Sequence, residues 1–292
     1  MIKVNEIPLN YKPRHKIMLK LSSYGNNLEL LILMNEIESA FLCGMIEQFS
    51  PKKILEIGVA AGGSTAIILQ TLEDIGAPYE MHSIDLRTKH EVYKDYDVGF
   101  LVNFAKEKNL INPKGLQGEH KLHVGKYLPQ IIDEIGGEID FVILDTVHFL
   151  PGEVLDFIAM LPYLKEGAIV VLHDVALNQY KNQSVWRDAC ATGSLFSAVT
   201  AEKFLDFVPE DAAGNIRSSY PNIAAFKVNQ QTRDNIENVF LLLTLNWHYA
   251  PLNSEIKIYR EFYKKHYSDD LINIFNEITK MNLYNKLLKE YS

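Results

Sequence analysis

Short apolar runs alternate with longer amphipathic stretches along the middle of the chain. Five short runs carry the apolar residues expected of buried strands, and they lie at 53–59, 80–86, 121–124, 139–145 and 168–173. Between them, apolar residues recur at helical spacing, which predicts helices at 64–73, 99–108, 127–135 and 151–164. Strands that alternate with helices form a parallel sheet with helices on both faces. The pattern therefore predicts a doubly wound α/β fold.

The pattern changes on either side of this region. Residues 203–208 and 223–228 predict two further strands with no helix between them, so this pair is expected to be antiparallel. The seven predicted strands and their helices define a core at residues 50–230. Residues 1–49 and 231–292 show mainly helical spacing and are predicted as N-terminal and C-terminal helical extensions.

A glycine-containing turn, EIGVAAGGST, follows the first predicted strand. Gly58 and Gly62 allow a close approach to a ligand, and the next helix offers free N–H groups to an anion. Ser64 can cap that helix or bind a carboxylate. The dinucleotide fingerprint G-x-G-x-x-G is not met, because its second glycine is replaced by Ala60, and Glu56 is poorly placed beside a pyrophosphate. A cofactor-binding turn and a tight turn without a ligand both remain open.

An aspartate ends the second predicted strand. The carboxylate of Asp85 can accept the two hydroxyls of a ribose, as acidic residues do at the carboxyl edge of such sheets. Leu86 and Gly125, which follow the second and third strands, can contact the faces of an adenine. Nicotinamide and S-adenosylmethionine proteins share this arrangement, so Asp85 does not distinguish them. A loop aspartate that caps a helix is the alternative.

Acidic residues and histidines follow the fourth and fifth predicted strands, whose ends should lie at one edge of the sheet. Asp145, His173 and Asp174 together suit Mg²⁺ or another divalent metal, while a hydrogen-bonded cluster without metal is the alternative. His148 can serve as a general base, because the ordinary pKa of an imidazole is ~6.5, or as a further ligand or a structural loop residue. The candidate catalytic residues are therefore Asp145 and His148.

Composition narrows the function class but does not identify it. The chain has 292 residues, a formal net charge of −8 and 47% hydrophobic residues, which suits a large core and excludes general disorder. The negative charge argues against binding to nucleic acid through the phosphate backbone. The two cysteines argue against a disulfide scaffold. The sequence contains neither a signal-peptide pattern nor ~20 consecutive apolar residues, so we expect a cytoplasmic protein without a membrane partner.

Taken together, these stretches resemble the class I S-adenosylmethionine-dependent methyltransferases. The segment from Ile54 to Ser64 is similar to the first motif of that family in its O-methyltransferase form, and Asp85 lies in a stretch similar to the second. The strands that end at Asp145 and Asp174 resemble those of metal-dependent O-methyltransferases, both the catechol O-methyltransferase type and bacterial sugar or macrolide enzymes. The resemblance covers residues 35–230.

The resemblance implies a Rossmann-like sheet with one antiparallel strand, and methyl transfer to a hydroxyl of a small-molecule or saccharide acceptor. It implies that Glu56 positions the methionine amino end, that Ser64 meets the methionine carboxylate, and that Asp85 holds the ribose. Gly58, Gly62, Leu86 and Gly125 complete the expected cofactor site.

The resemblance also places Asp145, His173 and Asp174 where catechol-type relatives bind their metal. His148 stands where those relatives carry a lysine base. His173 departs from the pattern, since the relatives usually have a carboxylate there, and this leaves the metal open.

Two other functions remain open at this point. One is a nicotinamide-dependent oxidoreductase on the same kind of sheet, which the missing second glycine and Glu56 disfavour. The other is a non-catalytic protein that keeps a cofactor pocket. The acceptor is expected to contact elements outside the core sheet, among them Tyr180, Trp186, Arg187 and the loop 209–221. The apolar faces of the C-terminal helices can form a homodimer interface or simply cover the domain.

Overall fold

A computed structural model describes residues 1–25, 27–76, 78–111, 118–179, 186–206 and 222–290. Tyr180 and the loop 209–221, which the sequence suggested for the acceptor, lie outside the described residues.

One eight-stranded sheet forms the centre of the molecule, in the order β1-β7-β8-β6-β5-β2-β3-β4. The strands are β1 (Ile2–Val4), β2 (Lys53–Ile57), β3 (Tyr79–Asp85), β4 (Gly118–Val124), β5 (Ile139–Leu144), β6 (Leu164–His173), β7 (Glu202–Leu205) and β8 (Ile223–Lys227). β8 is antiparallel to both neighbours, and every other pair in the described chain is parallel. The doubly wound α/β fold with one antiparallel strand is confirmed.

The predicted count of seven strands was one too low. The additional strand is β1, which pairs in parallel with β7 through Ile2 and Lys203. It has three residues, two of them exposed, and therefore carries no run of apolar residues that the sequence pattern could report.

Helices cover both faces of the sheet and pack on two separate apolar cores. On one face lie α1 (Lys12–Ser22), α2 (Glu36–Phe49), α3 (Gly63–Ile75) and α4 (Phe100–Glu107). On the other lie α5 (Ile132–Ile135), α6 (Gly152–Met160), α7 (Ala191–Ala198), α9 (Glu237–Leu242), α10 (Asn253–Tyr263) and α11 (Asp269–Glu290), with α8 (Gln230–Asp234) after β8. Among the described helices, none combines the length and the apolar character that crossing a bilayer requires.

The strand order places a crevice at the middle of the sheet. The chain passes from β2 outward to β3 and β4, and then returns to lay β5 and β6 on the other side of β2. At such a reversal the loops after neighbouring strands leave toward opposite faces, and ligands bind outside the carboxyl ends of those strands. The glycine turn after β2 and the acidic loop after β5 border this crevice.

Tyrosines of the C-terminal helices fasten that region to α6. The hydroxyl of Tyr259 donates to Oδ1 of Asp156 at 2.6 Å, and the hydroxyl of Tyr263 donates to the backbone carbonyl of Leu155 at 2.7 Å. Both tyrosines are buried, so these bonds satisfy polar groups inside an otherwise apolar interface. The C-terminal helices therefore form a packed layer over the domain.

Candidate active site

The turn after β2 requires glycine because the chain passes against the backbone that follows β5. Gly58 has a φ of +93°, and a Cβ atom there would lie 1.6 Å from the carbonyl oxygen of Asp145. The two segments are also tied by a hydrogen bond from the Asp145 amide to the carbonyl of Ile57 at 2.9 Å. Gly62 also has a positive φ, +88°, at the start of α3. The close approach fixes the position of Asp145 relative to the glycine turn.

Asp85 holds the shape of that turn. Its Oδ2 accepts the amides of Val59 at 3.0 Å and Ala60 at 3.1 Å, and its Oδ1 accepts the amide of Arg87 at 2.8 Å. A carboxylate offers about four acceptor positions, so one remains for a ligand hydroxyl. Leu86 is 47% exposed at the same edge of the sheet.

Gly125 lies at the end of β4 and joins this edge. Its amide donates to the carbonyl of Asp85 at 2.9 Å, and its backbone is exposed with a φ of +71°. The structure thus brings Asp85, Leu86 and Gly125 together around one stretch of the crevice.

Glu56 is fully buried in β2 and surrounded by hydroxyl groups. Its Oε1 accepts the hydroxyl of Ser64 at 2.8 Å, while its Oε2 accepts Thr65 at 2.8 Å and Ser83 at 2.6 Å. Burial raises the pKa of Glu56 to about 7, against the opposing effect of the three hydroxyls. The Ser64 side chain is thus engaged with Glu56.

Asp145, His148 and Asp174 converge in the loops after β5 and β6. Each offers one ligand atom, and these atoms lie within 4.8 Å of one another. Nδ1 of His148 is 3.4 Å from Oδ2 of Asp174 and 3.8 Å from Oδ1 of Asp145, and it has no hydrogen-bond partner although it is buried. Two carboxylates facing an unsatisfied imidazole nitrogen form a donor set that fits a divalent cation.

His148 and Asp174 both adopt left-handed backbone conformations, with φ values of 66° and 58°. Residues other than glycine seldom adopt this conformation, and strained backbone of this kind clusters at functional sites. The two residues are held there by neighbouring contacts. The His148 amide donates to Oε1 of Glu153 at 2.5 Å, and the hydroxyl of Thr192 donates to the carbonyl of Asp174 at 2.9 Å.

His173 lies against Asp145 and Asp174, the two carboxylates with which the sequence grouped it. Its Nδ1 lies 3.3 Å from Oδ2 of Asp145 and 3.2 Å from Oδ2 of Asp174, and its Nε2 lies 3.1 Å from Oε2 of Glu38. Burial lowers the pKa of His173, but Asp145 and Asp174 outweigh burial and raise the pKa well above 6.5. Its imidazolium therefore neutralises carboxylates at the base of the cluster, and His148 supplies the third atom of the donor set.

Sequence reasoning missed Glu38, Asn222 and Glu153. Glu38 completes a capping box with Asn35 at the start of α2, and Nδ2 of Asn222 bridges Oε1 of Glu38 at 3.0 Å and Oδ1 of Asp174 at 2.6 Å. The spacing Asn-x-x-Glu was a visible signal for the cap, although not for the contact with His173. Nothing in the local sequence marks Asn222 or the buried Glu153.

Aromatic rings line the crevice beside His148. The ring of Trp186 meets the edge of His148 at a centroid distance of 5.6 Å and stacks on Phe149 at 6.0 Å. Phe149 in turn stacks on His248 at 4.2 Å. Arg187, by contrast, is exposed at the surface, with its Nε 3.6 Å from Asp188. Of the aromatic and basic candidates in this part of the described chain, Trp186 is the one that reaches the cluster.

Residues 55–175 match the model of a family described as a methyltransferase domain. A search of proteins of curated function found no match. Among solved structures, the O-methyltransferase TomG of Streptomyces achromogenes, involved in tomaymycin synthesis and solved with SAM, is 16% identical, with 77% of this chain and 92% of that chain covered and a TM-score of 0.47. The O-methyltransferase of Bacillus cereus, solved with SAH, is 17% identical, with 77% and 94% covered and a TM-score of 0.47. Both structural similarities are distant. The match to the family model is the finding that bears on function.

The contact at Gly58 predicts a large effect of a small substitution. Gly58→Ala should lower the free energy of unfolding by about 3 kcal/mol or more, because the methyl group meets backbone and the φ is unfavourable for alanine. Gly76→Ala is the matched control, since Gly76 has a φ of +66° with nothing within 4 Å of its Cβ position. It should cost about 1 kcal/mol. Urea unfolding measures both, and equal losses would contradict the close contact.

Proposed function

We propose that the protein transfers a methyl group from S-adenosylmethionine to a hydroxyl oxygen of a small-molecule or saccharide acceptor, because its residues 55–175 match the model of a methyltransferase domain. The observation that carries the proposal is the family match, which spans the glycine turn, Asp85 and the cluster at Asp145 and Asp174. S-adenosylmethionine supplies a methyl group bonded to a positively charged sulfur. The chain's own residues bind it, orient the acceptor and hold the proton that leaves.

The cofactor site in this proposal follows the crevice from α3 to β4. Glu56 accepts the amino group of the methionine end through Oε1, which has a single hydroxyl partner in the structure. The first turn of α3, with Ser64, offers N–H groups without intrahelical partners to the methionine carboxylate. Asp85 accepts a ribose hydroxyl at its remaining acceptor position.

Four further residues shape this site in the proposal. Leu86 and Gly125 border the space for the adenine. Gly58 and Gly62 give the main chain of the turn its shape beside the ligand, because both have a positive φ and their Cβ positions are filled by the Asp145 carbonyl and by Val102.

The catalytic end of the proposed site is the cluster after β5 and β6. A divalent cation such as Mg²⁺, held there by Asp145, Asp174 and His148 or by Asp145, Asp174 and His173, would act as a Lewis acid on the acceptor hydroxyl. The structure favours His148 in that set, because the ligand atoms of Asp145, His148 and Asp174 lie within 4.8 Å of one another, while His173 already contacts Glu38 through its Nε2. Without a cation, His148 is the group placed to accept the hydroxyl proton, with Asp145 orienting it from 3.8 Å.

The remaining parts of the proposal concern the acceptor and the cellular compartment. Trp186 offers a ring beside His148 on which a sugar or aromatic acceptor can stack. We propose that the protein works in the cytoplasm on a small acceptor rather than on nucleic acid, in keeping with its net charge of −8.

The proposal predicts that substitutions at Asp145 and His148 abolish methyl transfer without abolishing cofactor binding. Wild-type protein should bind S-adenosylhomocysteine in calorimetry, and Asp145→Ala and His148→Ala should bind it within about threefold of wild type. Methyl transfer to a panel of hydroxyl acceptors should fall by about a hundredfold or more in both variants, as loss of general-base catalysis does. Asp188→Ala, at an exposed position, is the control. Loss of cofactor binding in both site variants would contradict the assignment, and binding of NADH in place of S-adenosylhomocysteine would favour the oxidoreductase.

The cluster geometry predicts which histidine binds a metal. Wild-type protein should bind one Mn²⁺ in an electron paramagnetic resonance titration, and His148→Ala should weaken that binding by about tenfold or more. His173→Gln should have the smaller effect, because His173 is already paired with carboxylates. His248→Ala, an exposed histidine nearby, should leave binding unchanged. A larger effect at His173 than at His148 would assign the ligand set to Asp145, His173 and Asp174.

We also propose a homodimer that forms through the C-terminal helices. Leu241, Leu245, Met281 and Tyr284 of this region are each between 45% and 62% exposed, and a second copy of the chain would remove this apolar surface from water. Light scattering should give about twice 33.3 kDa for wild type, and Met281→Glu should shift the mass to that of one chain. Leu19→Glu, at a 73% exposed position on α1, should leave the dimer intact. A monomeric wild-type protein would contradict this assembly.

A further inference from the structure

A continuous series of hydrogen bonds runs from α4 through β4 and β3 to Glu56 in β2. Nζ of Lys106 lies 2.6 Å from Nδ1 of His120, and Nε2 of His120 lies 2.9 Å from Oγ of Ser83. Oγ of Ser83 lies 2.6 Å from Oε2 of Glu56, the shortest of the three hydroxyl contacts to that carboxylate. The series joins a half-buried cation to a fully buried anion through two neutral groups.

The chemistry of the groups fixes the direction of every donor. An ammonium has no acceptor, so Nδ1 of His120 must accept from Lys106. A neutral imidazole then carries its proton on Nε2 and donates it to Ser83. The hydroxyl of Ser83 is left to donate to the carboxylate of Glu56. All three bonds therefore point the same way, from Lys106 to Glu56.

The surroundings keep His120 in this neutral form. Burial, and then the charge of Lys106, lower the pKa of His120 to about 3. The imidazole therefore does not gain a second proton near neutral pH, and the direction of the series does not reverse. In the described chain, no carboxylate lies within ion-pair distance of Lys106 to compete for its ammonium.

We propose that Lys106, His120 and Ser83 are positioning residues, which act through Glu56 to set the affinity for the amino group of the amino-acid end of the cosubstrate. The inference rests on the proposed function, since it assumes that Glu56 receives that ammonium group. None of the three residues needs to touch the ligand.

The series of hydrogen bonds matters because the carboxylate of Glu56 is buried. A carboxylate away from water keeps its charge only if hydrogen-bond donors replace the lost hydration. Bonds in series polarise one another, so a cation at the outer end strengthens the donor at the inner end. Ser83 holds Oε2 in place from one side while Oε1 keeps a free acceptor position facing α3. Removing Lys106 should therefore weaken the site for an ammonium, with little effect on its shape.

Two ligands separate this effect from general damage to the pocket. S-adenosylhomocysteine carries the amino-acid end, whereas 5′-methylthioadenosine has the same nucleoside and no amino group. In calorimetry, Lys106→Met and His120→Ala should weaken binding of S-adenosylhomocysteine by roughly five- to tenfold, the scale of one lost charge-assisted hydrogen bond. Binding of 5′-methylthioadenosine should stay within about twofold.

Further variants complete the test. Lys106→Arg should restore most of the affinity, because a guanidinium also donates and stays charged. Lys108→Met, two residues along and paired with Glu107 at the surface, should leave the affinity for both ligands unchanged.

Two results would contradict the positioning role of Lys106, His120 and Ser83. One is equal weakening of the binding of both ligands, and the other is unchanged binding of S-adenosylhomocysteine in Lys106→Met and His120→Ala. If wild-type protein binds S-adenosylhomocysteine and Lys106→Met and His120→Ala bind it equally tightly, the positioning role is contradicted and the proposed function stands. If wild-type protein does not bind S-adenosylhomocysteine, the proposed function is contradicted, and the positioning role with it.

Discussion

At the centre of the sheet, the main chain leaving β2 passes so close to the main chain leaving β5 that no side chain fits between them. Gly58 makes this approach possible, and a hydrogen bond from the Asp145 amide to Ile57 holds it. The glycine turn and the acidic loop are consequently one rigid unit rather than two loops that happen to be near each other. Whatever lies against the turn is held at a fixed distance from Asp145, which is the requirement for aligning two reacting groups.

Charge is the second constraint on this region. Asp145 and Asp174, together with Glu38, place three carboxylates around His173, which is mostly removed from water. Such a concentration of negative charge is tolerated because the imidazolium lies among them and because Asn222 donates to two of the acids. His148 faces two of these carboxylates, with its Nδ1 3.8 Å from Asp145 and 3.4 Å from Asp174. One imidazolium offsets only one of these three negative charges, so the cluster keeps a net negative charge that favours a cation.

Local periodicity predicted most of this fold, because it reports which faces are buried. The parallel strands, the antiparallel β8 and the helix that ends before Ser50 could all be predicted from it. Strand β1 could not be predicted in this way, because three residues that are mostly exposed are too few to show a repeating pattern. Likewise, strand ends predicted that Asp145 and Asp174 would meet, because the ends of parallel strands share an edge. Periodicity could not tell that both His148 and His173 would face these carboxylates, since that depends on loop conformation.

The sequence could not predict contacts between segments that lie far apart along the chain. Glu38 meets His173 across 135 residues, and Lys106 reaches His120 only because α4 packs beside β4. No spacing rule connects such positions. Polar groups within a strand, such as His120 and Ser83, are easily taken for ordinary packing residues, because their partners become apparent only in three dimensions.

The capping box of α2 has a consequence for motion. Glu38 caps the amide of Asn35 and also pairs with His173, so the first turn of α2 and the base of the acidic cluster share one side chain. Helix ends normally fray independently of their surroundings. Here fraying would withdraw a counter-ion from a buried imidazolium, so the two regions should open together as a single cooperative unit. Amides in the first turn of α2 and at the base of the acidic cluster should therefore show similar protection from hydrogen exchange.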